Sequence, residues 1–282
     1  ILVTGGAGFI GSRLIERLLR HEHAQITCLD NYNDYYSPRL KRENVQAFAD
    51  HARVRMVEGS FTDAAAMRAL FQSHNIEYVV HLGGYAGVRY SVENPFPYEQ
   101  HNVGGTLALL EAARHEPVRR FLLASSSTVY GRNASAPFQE DAYLGTPLSP
   151  YGVSKRAAEL MGLTYLDLFR VPVVCIRPFS IYGPRLRPDL ALTIFAKAIL
   201  DGRPLPLFGD GSIRRDFTYV DDFCDGLEAA LTADDVVGEA MPVTHADLTK
   251  ARRLLGYAPT TSFEDGVARF CAWFVKHATS PT

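Results

Sequence analysis

Three groups of residues in this 282-residue chain have the types and spacing that proton and hydride chemistry requires. Tyr151 and Lys155 lie four apart in YGVSK, directly after Pro150. Proline is favoured in a helix's first turn, and an i,i+4 spacing then stacks both side chains on one face. An ammonium beside a phenol favours the phenolate, so the pair is expected to lower the Tyr151 pKa toward working pH and make it a base. Upstream, SSSTVYG (125–131) ends an apolar run with hydroxyls, at the carboxyl edge where ligands of open α/β sheets bind. TGGAGFIGSRL (4–14) spaces Gly5, Gly8 and Gly11 between a strand-like run and a helical one. Gly5 permits a tight turn, Gly8 lets backbone approach a pyrophosphate, and Gly11 lets the helix pack closely on the strand. The helix N-terminus supplies N–H groups and a positive dipole end. Asp30 closes the next apolar run. A carboxylate there accepts hydrogen bonds from the adenosine ribose and repels a 2′-phosphate, so NAD is favoured over NADP.

Positioning these groups takes an alternating fold. Short apolar runs at 1–4, 25–29, 54–57, 78–82, 120–124 and 173–177 read as strands. Amphipathic stretches at 11–20, 64–74, 104–115 and 155–169 read as the helices between them. Right-handed crossovers then give an α/β fold: a doubly wound parallel Rossmann sheet, buried on both faces. After Pro178 the rhythm gives way to Pro/Gly-rich loops, read as a smaller C-terminal α/β substrate-binding lobe. The expected division is 1–178 for the NAD-binding domain and 179–282 for the lobe.

Composition narrows the function classes. Lys+Arg 29 against Asp+Glu 31 gives a net charge of -2, without the basic field that a nucleic-acid partner requires. No apolar run approaches the ~18 residues of a membrane span, and no leader segment is visible. The chain begins on a strand without Met, so its start reads as trimmed. Cys28, Cys175, Cys224 and Cys271 have neither CxxC nor zinc spacing and read as free thiols of a cytoplasmic protein. The nine histidines show no HExxH, and no metal is expected. The tract Tyr32–Tyr36 reads as a loop beside adenosine.

TGGAGFIG, Asp30, SSSTVYG and YGVSK together resemble the extended short-chain dehydrogenase/reductase family of NAD-dependent nucleotide-sugar epimerases and dehydratases. Three stretches, 30–44, 81–95 and 202–222, are most similar to its UDP-glucuronate 4-epimerases. The resemblance implies that Phe9, Ile10, Asn31, Ser60, Phe61, Leu82, Gly83, Gly84, Tyr85, Asn102 and Phe179 join the glycines, Asp30, Tyr151 and Lys155 around NAD. Ser60 stands where many relatives set an Asp against adenine. Ser126, Tyr151 and Lys155 would be the catalytic trio, and Arg215 would grip the nucleotide diphosphate. Val88, Arg89, Ser127, Thr128, Ser180, Arg185 and Leu207 complete the substrate candidates. Of these, Ser127, Ser180 and Arg185 are expected at a sugar carboxylate, which hydroxyl and guanidinium donors recognise.

The resemblance implies 4-epimerisation of a UDP-sugar, UDP-glucuronate to UDP-galacturonate, through a 4-keto sugar. Dehydratases carry Thr-Asp-Glu and decarboxylases a Thr-Ser-Glu where this chain has Ser126-Ser127-Thr128, so no carboxylate serves elimination here. UDP-glucose or UDP-N-acetylglucosamine epimerase, UDP-glucuronate decarboxylase and a non-catalytic NAD-binding sensor remain as alternatives. A homodimer through the 104–115 and 155–169 helices is implied. Relatives hold a further strand–helix–strand unit and a second diphosphate-binding Arg near the 240/241 junction, where a segment is expected to be omitted.

Overall fold

The computed structural model describes residues 1–132, 136–206, 215–233, 240–243 and 247–278. Its main sheet is parallel throughout and ordered β3-β2-β1-β4-β5-β6-β9. The strands are β1 (Leu2–Thr4), β2 (Ile26–Asp30), β3 (Val54–Glu58), β4 (Tyr78–His81), β5 (Arg120–Ala124), β6 (Val173–Pro178) and β9 (Ala240–Val243). The reversal between β1 and β4 is the topological switch point at which such sheets bind ligands. The six strands expected from apolar runs are present, and β9 adds a seventh beside β6, in register from Cys175↔Ala240 to Pro178↔Val243. Strands β7 (Ser180–Tyr182) and β8 (Phe217–Tyr219) form a separate parallel pair in the lobe. Strands β7 and β8 thus lie in the chain between β6 and β9, two neighbours in the main sheet.

Strand periodicity sorts the core into two layers. Val3, Cys28, Val80, Leu122 and Val174 face one layer, with Leu14, Ile15 and Phe223. Leu2, Leu29, Val79, Phe121 and Val173 face the other, with Leu70, Leu109 and Ala158. Helices α1 (Phe9–Leu18), α2 (Pro38–Val45) and α9 (Val220–Thr232) lie on the first side, and α3 (Ala64–Ser73), α6 (Thr106–His115) and α7 (Pro150–Phe169) on the second. Short α4 (Val88–Glu93) and α5 (Phe96–Tyr98) follow β4, and α8 (Ala191–Leu200), α10 (Thr249–Leu255) and α11 (Phe263–Ala278) complete the chain. Helix α9 is clamped to α1 by Arg13–Asp221 at 2.6 Å and Arg17–Glu228 at 2.5 Å. A π-helical turn, Glu99–Gly105, precedes α6.

Among the described residues no helix is long and apolar enough to cross a membrane, and no cluster of three metal-ligating side chains occurs.

Candidate active site

The β1–α1 turn has the geometry that its glycines predict. Gly5 adopts φ +66°, and a Cβ there would lie 2.9 Å from the Gly83 backbone. At Gly11 a Cβ would be 2.2 Å from the Gly5 carbonyl oxygen, so only glycine lets α1 start this close to β1. Helix α1 begins with no side-chain cap and no acid in its first turn, leaving its N–H groups for an anion. Phe9 is buried and Ile10 partly buried. The Asp30 carboxylate, itself buried, accepts from Ala7 N at 3.2 Å and Tyr32 N at 2.9 Å, with Lys41 Nζ at 3.6 Å. Beside the turn, the buried Tyr36 hydroxyl has no hydrogen-bond partner among the described residues, and a Gly8 side chain would stop 3.8 Å from it. An uncapped helix, a Cβ-free cradle and an unpartnered hydroxyl fit a dinucleotide's pyrophosphate.

The loop after β4 is set by Asn102. Its Oδ1 accepts from Tyr85 N at 2.8 Å, and its Nδ2 donates to Tyr85 O and to Ser154 Oγ, both at 2.9 Å. The π-helical turn carrying Asn102 thus ties the 82–87 loop to α7 between Tyr151 and Lys155. Gly83 and Gly84 pass close beneath, and a Cβ on Gly84 would meet Asn102 Oδ1 at 2.5 Å. Phe61 packs edge-on against His81 at 5.0 Å. Leu82 and Asn31 are partly buried, Ser60 Oγ pairs with Thr62 Oγ1 at 2.7 Å, and Phe179 stacks on Phe138 at 5.5 Å.

Helix α7 starts where Pro150 implies. Ser149 caps it by accepting from Gly152 N at 3.1 Å. Ser126 Oγ accepts from Thr128 N at 3.2 Å and Thr128 Oγ1 at 3.0 Å, which leaves the Ser126 hydroxyl proton for Tyr151. The Tyr151 ring rests edge-on against Tyr98 at 5.9 Å. Its environment differs from the expected one. Burial raises the Tyr151 pKa, while a hydrogen bond from Ser126 and the charge of Arg187 pull it down. Lys155 is lowered to about 8 by burial, and its Nζ donates to Ala124 O at 2.8 Å. Arg187 thus adds to the pull on the Tyr151 phenol, while the Lys155 ammonium is engaged by the backbone at the end of β5.

Arg187 carries no mark in the sequence beyond its neighbours, and sequence reasoning passed over it for Arg185. The structure turns Arg185 away: with φ +72°, it donates to Ser12 Oγ at 3.2 Å and Glu16 Oε1 at 2.5 Å on α1. Arg187 instead lies beside Tyr35 and Asp189, and its charge reaches Tyr98 and Tyr151. Tyr35, expected beside adenosine, crosses to this side and donates to Ala86 O at 2.5 Å. Ser127 and Thr128 are half-buried after β5, and Ser180 is partly buried on β7. Val88 and Arg89 lie on the exposed start of α4, and Arg215 is exposed ahead of β8. Leu207 lies outside the described residues.

Residues 1–243 match the NAD dependent epimerase/dehydratase family. The UDP-glucuronate 4-epimerase of Thermodesulfobacterium geofontis is 35% identical over 308 residues, spanning 96% of this chain and 95% of the relative. The UDP-glucuronic acid 4-epimerase of Bacillus cereus, solved with UDP-glucuronic acid and NAD, superposes with a TM-score of 0.92 at 32% identity, covering 98% of this chain and 99% of that one. DesIV of Streptomyces venezuelae, a dTDP-glucose 4,6-dehydratase with NAD, gives 0.86 at 29% identity, with 98% and 96% covered. The chain belongs to the NAD dependent epimerase/dehydratase family.

Proposed function

We propose that the protein is a UDP-sugar 4-epimerase interconverting UDP-glucuronate and UDP-galacturonate, with Tyr151, Ser126 and Lys155 as its catalytic residues. Bound NAD would supply a reversible hydride acceptor at sugar carbon 4. Tyr151 takes the proton of the 4-hydroxyl and later returns it, and Ser126 hydrogen-bonds the same oxygen. Lys155, buried at the end of β5, would hold the nicotinamide ribose. The glycine cradle and Asp30 would hold the pyrophosphate and adenosine. No carboxylate stands in the 126–128 row to drive elimination, which separates the site from a dehydratase's.

The observation that carries the glucuronate reading is a guanidinium, Arg187, held by Asp189 and the Tyr35 ring, with its charge reaching Tyr151. The sugar carboxylate is borne by carbon 5, next to the reacting carbon 4, so its counter-cation belongs beside the catalytic phenol. Ser127 and Ser180 offer hydroxyls to the same anion. Incubation with UDP-glucuronate, followed by separation of the epimers, tests the activity. Conversion of UDP-glucose at an equal rate would overturn the glucuronate assignment, and tightly held NAD with no conversion of any UDP-sugar would favour the sensor. For Arg187→Ala, loss of a hydrogen-bonded charge costs about 1.5–3 kcal/mol. The KM for UDP-glucuronate should therefore rise roughly 10- to 150-fold. Arg185→Ala should leave that KM within about twofold, since its partners are on α1.

Leu107 on α6 and Val153, Leu160 and Leu168 on α7 are exposed apolar residues. Together they support a homodimer joined through these two helices. No disulfide occurs among the described residues, and three of the four cysteines are buried, which suits a reducing cytoplasm.

A further inference from the structure

An arginine that selects a carboxylate must be held before the ligand arrives, because its long side chain otherwise loses rotamer freedom on binding. Two contacts hold Arg187. Its Nε and Nη2 form a fork on Asp189, at 3.0 Å to Oδ1 and 2.7 Å to Oδ2. Its guanidinium carbon lies 5.3 Å from the centroid of the Tyr35 ring, within cation–π range. Nη1 has no hydrogen-bond partner among the described residues, so one edge of the fork remains for a ligand.

Tyr35 is fixed in turn. Its hydroxyl donates to Ala86 O at 2.5 Å and lies 3.4 Å from Asp189 Oδ2. Its ring stands edge-on to Tyr85 at 5.2 Å and Tyr90 at 5.1 Å. Gly87, at φ +106°, makes room for this hydroxyl, since a Cβ there would come within 2.8 Å of it. These contacts join the loop after β2, the loop after β4 and the loop after β7 at one point.

We propose that Tyr35 and Asp189 are positioning residues that hold Arg187 ready for the sugar carboxylate and thereby set selectivity for an anionic over a neutral UDP-sugar. The inference rests on the assignment of Arg187 to that carboxylate. Neither residue touches the reacting atoms. Asp189 orients the fork from one edge, Tyr35 supports its face, and the open edge is left to the substrate.

The test measures the KM for UDP-glucuronate alongside the inhibition constant of UDP-glucose, which shares the nucleotide but lacks the charge. Tyr35→Leu should raise the KM about tenfold with kcat within about twofold and leave the UDP-glucose constant unchanged, while Tyr35→Phe, which keeps the ring, should raise KM less than threefold. Asp189→Asn, on an exposed side chain, should also raise KM several-fold. Removing a negative charge near an anionic substrate would by itself lower KM, so a rise reports lost orientation. A parallel loss of UDP-glucose binding, or an unchanged or lower KM in Asp189→Asn, would overturn the inference. Failure of the wild-type protein to epimerise UDP-glucuronate would instead overturn the functional assignment beneath it.

Discussion

Replacing Tyr151 by phenylalanine should lower kcat by about 10³-fold, within the range that a positioned acid–base group contributes. The ring's edge contact with Tyr98 at 5.9 Å does not need the hydroxyl, so the fold, the resident nucleotide and KM should be retained. A variant that kept a tenth or more of wild-type kcat would remove Tyr151 from the role of base. The pH profile gives an independent check. Burial raises Tyr151, so the wild-type rate should climb with pH as the phenolate forms. Arg187 pulls in the opposite direction, so Arg187→Ala should move the rising limb to higher pH. A limb that stayed in place, or moved down, would show that Arg187 does not act on the phenol.

The second large effect is expected on stability, from Glu159→Ala. Glu159 lies two turns below Tyr151 on α7 and is fully buried. Its carboxylate forks Arg177 at 2.8 and 3.0 Å, and Arg177 also donates to Glu140 O at 3.1 Å and lies over the Tyr130 ring. Removing the acid leaves a buried guanidinium without its counter-charge, a loss of about 3–5 kcal/mol. For a chain of this size that corresponds to a fall in Tm of roughly 5–8 °C. Replacing both partners by apolar residues of similar volume should recover much of the loss, because the desolvation cost disappears with the charges. If Glu159→Ala melted within about 2 °C of wild type, the pair would contribute little. The same carboxylate raises the Lys155 pKa against the burial that lowers it, so its removal should also leave less of Lys155 charged near neutral pH.

Where local physics decides, the sequence was legible. The inner strands β1, β2, β4, β5 and β6 are short, mostly apolar runs buried on both sides, and the glycine turn, Asp30 and the Pro150 helix start each follow from backbone sterics or capping. Distant partners decide the rest. Arg185 and Arg187 are two residues apart in one loop, and nothing local says which faces the cleft. Glu16 on α1 and Asp189 with Tyr35 settle it. The tract Tyr32–Tyr36 reads as a loop beside adenosine, yet the Tyr35 hydroxyl is held by Ala86 fifty-one residues later. The sequence pattern starts a helix at Gly104, because glycines at 104 and 105 conceal the π-helical turn from Glu99 that carries Asn102 ahead of α6. Strand β9 pairs in parallel only with β6, and its partner is far away in the chain.

That late pairing has a consequence for how the molecule is assembled in time. Strand β6 is an open sheet edge from the moment it forms until the chain has passed through the lobe and delivered β9. An unpaired parallel edge is a template for wrong partners, and non-local pairing of this kind is slow. The seventh strand is therefore expected to act as a closing latch, delivered only once the chain has passed through the lobe. A chain stopped after Pro178 should retain the glycine turn and YGVSK yet aggregate on refolding, as light scattering would register. If it remained monodisperse with native helicity, the latch would be dispensable.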